Sequence, residues 1–203
     1  MKRQEFVRRV CRGVLSAMAC VALATGAWAD AAAVAVVKGE LITWTGAVSS
    51  AFDDVGNWDL GRAPLKSDKV KIAAGANCPT LGAAVEALEL EVMSGASLSL
   101  GGFDLTVKDN LRVAGALVCS GFETITVKGL SDFIGSQVTP AHSTLIITGS
   151  DNAVFWPAGA TFNDVRIVSG GNDISVNGGF TANRFEVKAT AAASVAFKDG
   201  MTV

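Results

Sequence analysis

Past residue 80 the chain alternates apolar and polar positions in runs of three to six residues, broken by Gly, Asn, Asp and Ser. Leu88-Glu-Leu-Glu-Val92, Ser97-Leu-Ser-Leu100, Asp104-Leu-Thr-Val107 and Asn110-Leu-Arg-Val113 open the series. Thr124-Ile-Thr-Val127, Thr144-Leu-Ile-Ile147, Val165-Arg-Ile-Val168, Asp173-Ile-Ser-Val176, Arg184-Phe-Glu-Val187 and Ser194-Val-Ala-Phe197 continue it. A period of two predicts short strands with one face turned inward. No segment beyond Leu41 carries a convincing helical period.

The spacing between like segments narrows the fold. Ser97 and Ala116 are 19 residues apart, Asp104 and Thr124 are 20, and Leu88 and Asn110 are 22. Asn152 and Asn172, and Asn163 and Asn183, are each 20 apart. About three short strands per period of roughly 20 residues is the arithmetic of a parallel β-helix, whose coils stack to share one core. The expected fold is all-β, a right-handed parallel β-helix (solenoid) with an N-terminal aromatic cap. The alternative is an antiparallel β-sandwich, where turn signals also recur at short intervals. Stacked coils predict polar ladders at the bends from Asn152, Asn163, Asn172 and Asn183. They also predict inter-coil stacking of Phe103, Phe122, Phe133, Phe155, Phe162, Phe180, Phe185 and Phe197.

Residues 1–29 read as a signal peptide. Lys2, Arg3, Arg8, Arg9 and Arg12 precede an apolar run from Val14, and Ala27-Trp28-Ala29 closes it with a small-x-small cleavage site. Residues 30–40 then form a linker, 41–80 a capping segment and 81–203 the coils. The expected location is secreted or cell-surface, with the periplasm as a further compartment. No transmembrane segment is expected after cleavage. Composition fits a packed chain: half of its 203 residues are hydrophobic and 18% are charged. Without residues 1–29 the chain holds 12 Lys and Arg against 18 Asp and Glu, a net charge of −6. No basic stripe remains, so nucleic acid is not an expected partner. One histidine and no tyrosine exclude a multi-histidine metal site. Cys78 and Cys119 lie two periods apart, about 9.6 Å in register, beyond disulfide reach. Two free, buried thiols are expected.

Residues 43–72 differ from the rest. Trp44-Thr-Gly46, Phe52, Asn57-Trp58, Gly61-x-x-Pro64 and Asp68-x-Val-x-Ile72 follow one another. The structural reading makes Trp44, Phe52, Asn57, Trp58 and Pro64 a cap over the first coil, since an open solenoid end exposes strand edges. The ligand-binding reading makes Trp44 and Trp58, with Asp53 and Asp54, a platform for a sugar. This order of motifs resembles the opening of bacterial secreted β-helix surface proteins of the autotransporter-type adhesin group. The resemblance spans about residues 41–200, with Phe52 where that group commonly has tryptophan. It implies a surface role, often adhesive.

Chemistry is sparse. A lyase of this fold needs carboxylates and a basic residue together, and Asp104, Lys108, Asp109 and Arg112 supply those types in one coil. His142 beside Pro140 reads as an exposed loop residue. No catalytic residues, metal or cofactor are expected, and the protein is not expected to be an enzyme. The first functional expectation is an exported structural or adhesive module presenting a rigid face to cell-surface or matrix partners, whether glycans or proteins. A carbohydrate-binding module is second, and a polysaccharide-active enzyme or its inactive relative third. The sequence stops within a strand-like run, so the coils are expected either to be the front piece of a longer protein or to end in an open C-terminal coil covered by a partner, self-association being one such route.

Overall fold

The computed structural model describes residues 39–149, 153–190 and 193–198. The signal peptide, most of the linker and Asn152 lie outside them. The opening strand β1 (Leu41–Trp44) leads through a single 3-10 turn (Val55–Asn57) to β2 (Lys69–Ile72) and β3 (Val85–Ala87). Three-strand coils follow. They are β4 (Glu89–Val92), β5 (Ser97–Ser99) and β6 (Leu105–Val107), then β7 (Leu111–Val113), β8 (Ala116–Val118) and β9 (Thr124–Val127). The third is β10 (Ser131–Asp132), β11 (Gln137–Thr139) and β12 (Thr144–Ile147). Two-strand coils come last: β13 (Ala153–Trp156) with β14 (Thr161–Ser169), then β15 (Ile174–Val176) with β16 (Thr181–Ala189). The last described strand is β17 (Val195–Phe197).

Every ladder between these strands is parallel, and the stack is a β-solenoid of about 6 turns. The antiparallel sandwich is thereby excluded. One face is an eight-stranded sheet, β1-β2-β4-β7-β10-β13-β15-β17. The second is β3-β6-β9-β12-β14-β16, and the third is only β5-β8-β11. On the second face Leu105 pairs with Ile125, Thr144 with Asp164 and Thr161 with Thr181, a constant step of 20. Two-residue alternation then places the same side-chain type over itself in successive coils. Val107, Val127, Ile147 and Ile167 form one such inward column, each 0% exposed.

The repeat departs from 20 on the first face. Leu111 pairs with Ser131, but Ser131 pairs with Phe155, a step of 24. The third face stops at β11, and Pro157–Ala160 turns the chain directly into the longer β14. Residues added before one face are recovered by deleting a strand from another. The aligned pair expected at Leu88 and Asn110 is also offset, because the Leu88 carbonyl accepts from the Asp109 amide.

The cysteines correct one expectation. Both thiols are free, but Cys78 is exposed and only Cys119 is buried. The residue two coils before Cys119 is Leu81, as the Leu81–Ser99 and Leu100–Val118 backbone bonds show. Cys78 lies three residues off that register, beside Pro79 at the bend. Burial pushes the Cys119 thiol up to about 11, which keeps it protonated.

Candidate functional site

The aromatic residues of the opening segment sit inside the molecule. Trp44 is the inward residue at the end of β1, above Ile72. Its ring meets Phe52 at 6.4 Å and Trp58 edge-on at 5.1 Å, while Phe52 and Trp58 lie 5.0 Å apart. Trp44 Nε1 donates to the Asn77 carbonyl (2.8 Å), and Trp58 Nε1 donates to the Phe52 carbonyl (2.8 Å). Trp44 is 1% exposed and Trp58 3%. A sugar-stacking platform at these two indoles is therefore ruled out, because neither ring offers a face to solvent.

Asn57 organises this segment and is 0% exposed. Its Oδ1 accepts from the amides of Val48 and Ser49, both at 2.9 Å. Its Nδ2 donates to Ser49 Oγ and to the Ala51 carbonyl, both at 3.0 Å. All four amide capacities are used. Asp54 accepts from Gly56 N and Ser49 Oγ, so it caps the 3-10 turn. Asp53 is exposed and, with Phe52, Pro64, Lys66, Val85 and Glu86, lines a shallow groove. Asp68, just before β2, is 1% exposed and accepts from Arg62 (2.5 Å), Leu65 N (2.8 Å) and Glu40 N (3.1 Å). Burial opposes its ionisation, but Arg62 and the two amides outweigh that and hold its carboxyl below the usual range.

The bends use side-chain carboxylate and amide oxygens as clamps on the next coil. Asp104 Oδ1 accepts from Thr124 N at 2.7 Å, Asn110 Oδ1 from Leu130 N at 3.1 Å, and Asp173 Oδ1 from Ser194 N at 2.9 Å. Asn183 Nδ2 donates to Asn163 Oδ1 (3.0 Å), whose own Nδ2 donates to the Ser143 carbonyl (3.2 Å). Asn163 and Asn183 thus form a ladder. Asn172 lies at a different bend, where its carbonyl accepts from the Ser169 hydroxyl.

The most exposed large apolar side chain among the described residues is at one of these bends. Phe122 is 84% exposed, and its ring stacks on His142 of the next coil at 5.1 Å and 19°. Phe103, one coil earlier at the same bend, is 38% exposed. These two phenylalanines depart from the expected internal stack. Phe133, Phe155, Phe162, Phe180, Phe185 and Phe197 do form a continuous chain of ring contacts.

Glu123 fixes the bend that carries Phe122. It is 1% exposed. Its Oε1 accepts from Gly102 N (3.0 Å), Ser120 N (2.7 Å) and Ser120 Oγ (3.0 Å), and its Oε2 from Gly121 N (2.8 Å). Burial opposes the charge, yet hydrogen-bond donors bring its pKa down to about 2. The Gly121 carbonyl accepts from His142 N at 2.9 Å, which sets the imidazole beneath the ring. Sequence reading missed Glu123. Its signal is two small-residue bends, Gly101-Gly102 and Ser120-Gly121, one coil apart and flanking an inward-facing carboxylate.

The remaining candidates are dispersed. Asp104 is committed to Thr124 N, Lys108 pairs with Glu86 at 2.9 Å, and the Asp109 carbonyl accepts from Gly129 N. Arg112 projects from β7 on the first face. There Lys71, Glu91, Arg112 and Asp132 form one outward column of alternating sign. In-register stacking puts each charge beside its neighbour, so alternation avoids repulsion and leaves no single-sign field. Among the described residues no group of three His, Cys, Asp or Glu is placed to hold a metal, and no helix is long and apolar enough to cross a membrane. Comparison of the chain with protein-family models, curated proteins and solved structures gives no match.

Proposed function

We propose that this protein is an exported surface module that presents a rigid β-solenoid face for contact with a cell surface or matrix. The observation that carries this reading is the Phe122–His142 bend. An aromatic ring left 84% exposed on a tightly hydrogen-bonded bend has the character of an interface anchor, because little order is lost when it is covered. The stack around it supplies Ser, Thr, Lys and Glu side chains at regular spacing, so weak contacts add through multivalency. The charged head, short apolar run and Ala27-Trp28-Ala29 site support export.

The test has two parts. The intact mass of the protein recovered outside the producing cell should begin at Asp30. Protein carrying Phe122→Ser should melt like the parent and lose adhesion to cells, matrix proteins or glycans that the parent binds. Retention of the full sequence inside the cell, or unchanged adhesion by that variant, refutes the reading.

A further inference from the structure

We propose that Asp132, Trp156 and Asn177 form a subsite for a guanidinium group, the side chain of an arginine on a partner chain, and that Lys198 fills it when that partner is absent. The outward column of the first face that holds Arg112 and Asp132 continues through Trp156, Asn177 and Lys198. Asp132 pairs with Trp156. The Phe155–Val176 and Val176–Phe197 pairs carry the register onward, as do the bonds from Asn177 N to the Phe155 carbonyl and from Lys198 N to the Val176 carbonyl. Phe155 and Val176 are buried at 0%, so the residue after each turns to the outer side. Trp156 is thus an outward indole, in contrast to Trp44 and Trp58. Further coils would lengthen this column without covering its outer side.

Three observations meet at this point. Lys198 Nζ lies 5.0 Å from the centroid of the Trp156 ring, a cation held on the indole face. Asn177 stands between the two in the column and is only 8% exposed. Its Oδ1 is buried without a hydrogen-bond partner among the described residues, so Lys198 passes over Asn177 without bonding to that oxygen. A buried acceptor left unpaired calls for a donor. On the other side of the indole, Asp132 accepts from Ile134 N through Oδ1 (3.0 Å), which leaves Oδ2 for a ligand. The indole therefore lies between a carboxylate and an orphan acceptor, each on a strand about 4.8 Å away. That set selects a flat cation with donors in its own plane. A guanidinium stacks on the ring and turns its N–H fork towards both neighbours, whereas the Lys198 ammonium takes the ring alone. A neutral sugar would displace that ammonium and supply no charge in its place. The net charge of −6 past residue 29 also favours a cationic partner. The site is on an open sheet face, so the cation arrives on the end of a longer chain.

The experiment is an NMR titration of the full exported chain, isotope-labelled at nitrogen and followed at the Trp156 indole N–H, which is assigned by its absence in Trp156→Phe. The probe is N-acetyl-L-arginine amide. It should give a saturable shift, and the matching citrulline amide, of the same shape without the charge, should give none. Lys198→Ala should bind the arginine probe about threefold more tightly or better, because the resident cation is gone. Lys188→Ala removes an equal charge from the second face and should leave the affinity within about twofold. Asn177→Ala should bind about tenfold more weakly, since a hydrogen bond to a charged group is lost. Its melting point should match the parent's, because that oxygen has no partner in the free protein. An equal shift with the citrulline amide, unchanged or weaker binding by Lys198→Ala, unchanged binding by Asn177→Ala, a preference for free L-arginine over its blocked amide, or no saturable shift overturns the proposal.

Discussion

Replacing Glu123 with Gln is a sharp test of how the exposed bend is held. The carboxylate accepts from three amides and one hydroxyl, and it lacks an ion-pair partner among the described residues. Its pKa is drawn from an ordinary 4.5 down to about 2. A tenfold change in proton affinity is worth about 1.4 kcal/mol, so the ionised form contributes about 3 kcal/mol to folding. The folded carboxyl is the more acidic one. Its contribution is therefore complete above the unfolded value of 4.5 and is lost as pH falls towards 2. Glutamine keeps one acceptor oxygen but turns an NH2 group towards donors on one side. Urea unfolding followed by tryptophan fluorescence should show Glu123→Gln less stable by about 3 kcal/mol at pH 7. That difference should shrink steadily below pH 4.5. Other carboxylates titrate in both proteins and cancel in the difference. A loss under about 1 kcal/mol at pH 7, or a difference independent of pH, refutes the reasoning.

Four further outcomes follow from the same structure. Asn57→Ala strands two amides and a carbonyl in the opening segment and should cost about 3 kcal/mol, read as a lower melting point by near-ultraviolet circular dichroism. Gly115→Ala should cost more than about 2 kcal/mol, because its Cβ would fall 2.3 Å from the carbonyl oxygens of both Met93 and Ala96. Gly82→Ala, with nothing within 4 Å of the new Cβ, should change stability by less than about 0.5 kcal/mol in the same urea titration. Arg62→Met removes the cation from buried Asp68 and should cost about 3 kcal/mol, with the acid-unfolding midpoint moving to higher pH as that carboxyl returns towards its ordinary acidity.

The architecture was legible because the signal is redundant. Each coil repeats the same inward alternation, and the 20-residue step between Asp104 and Thr124 or Asn163 and Asn183 corresponds to hydrogen bonds between those residues. Single positions were less legible. Trp44 and Trp58 carry both a ring and a donor, so their sequence context suits a sugar platform as well as a core. Their burial is decided by Asn57 and the fold-back of residues 48–58, which no local period encodes. Phe122 reads like the other phenylalanines. One extra residue in its bend, against the bend of Phe103, turns it outward. Cys78 precedes the regular coils, where the period does not fix register.

The stacking direction also decides how the molecule carries tension. Strands run across the solenoid axis, so a pull along that axis loads the inter-coil hydrogen bonds in peeling rather than in shear. Coils then detach one after another from the pulled end, and each 20-residue step on the second face frees roughly 70 Å of extended chain. Force spectroscopy along the axis should record a run of small, evenly spaced releases in place of one large rupture. A module of this kind yields by stages under load, and its pinned outer bends stay folded until their own coil is reached.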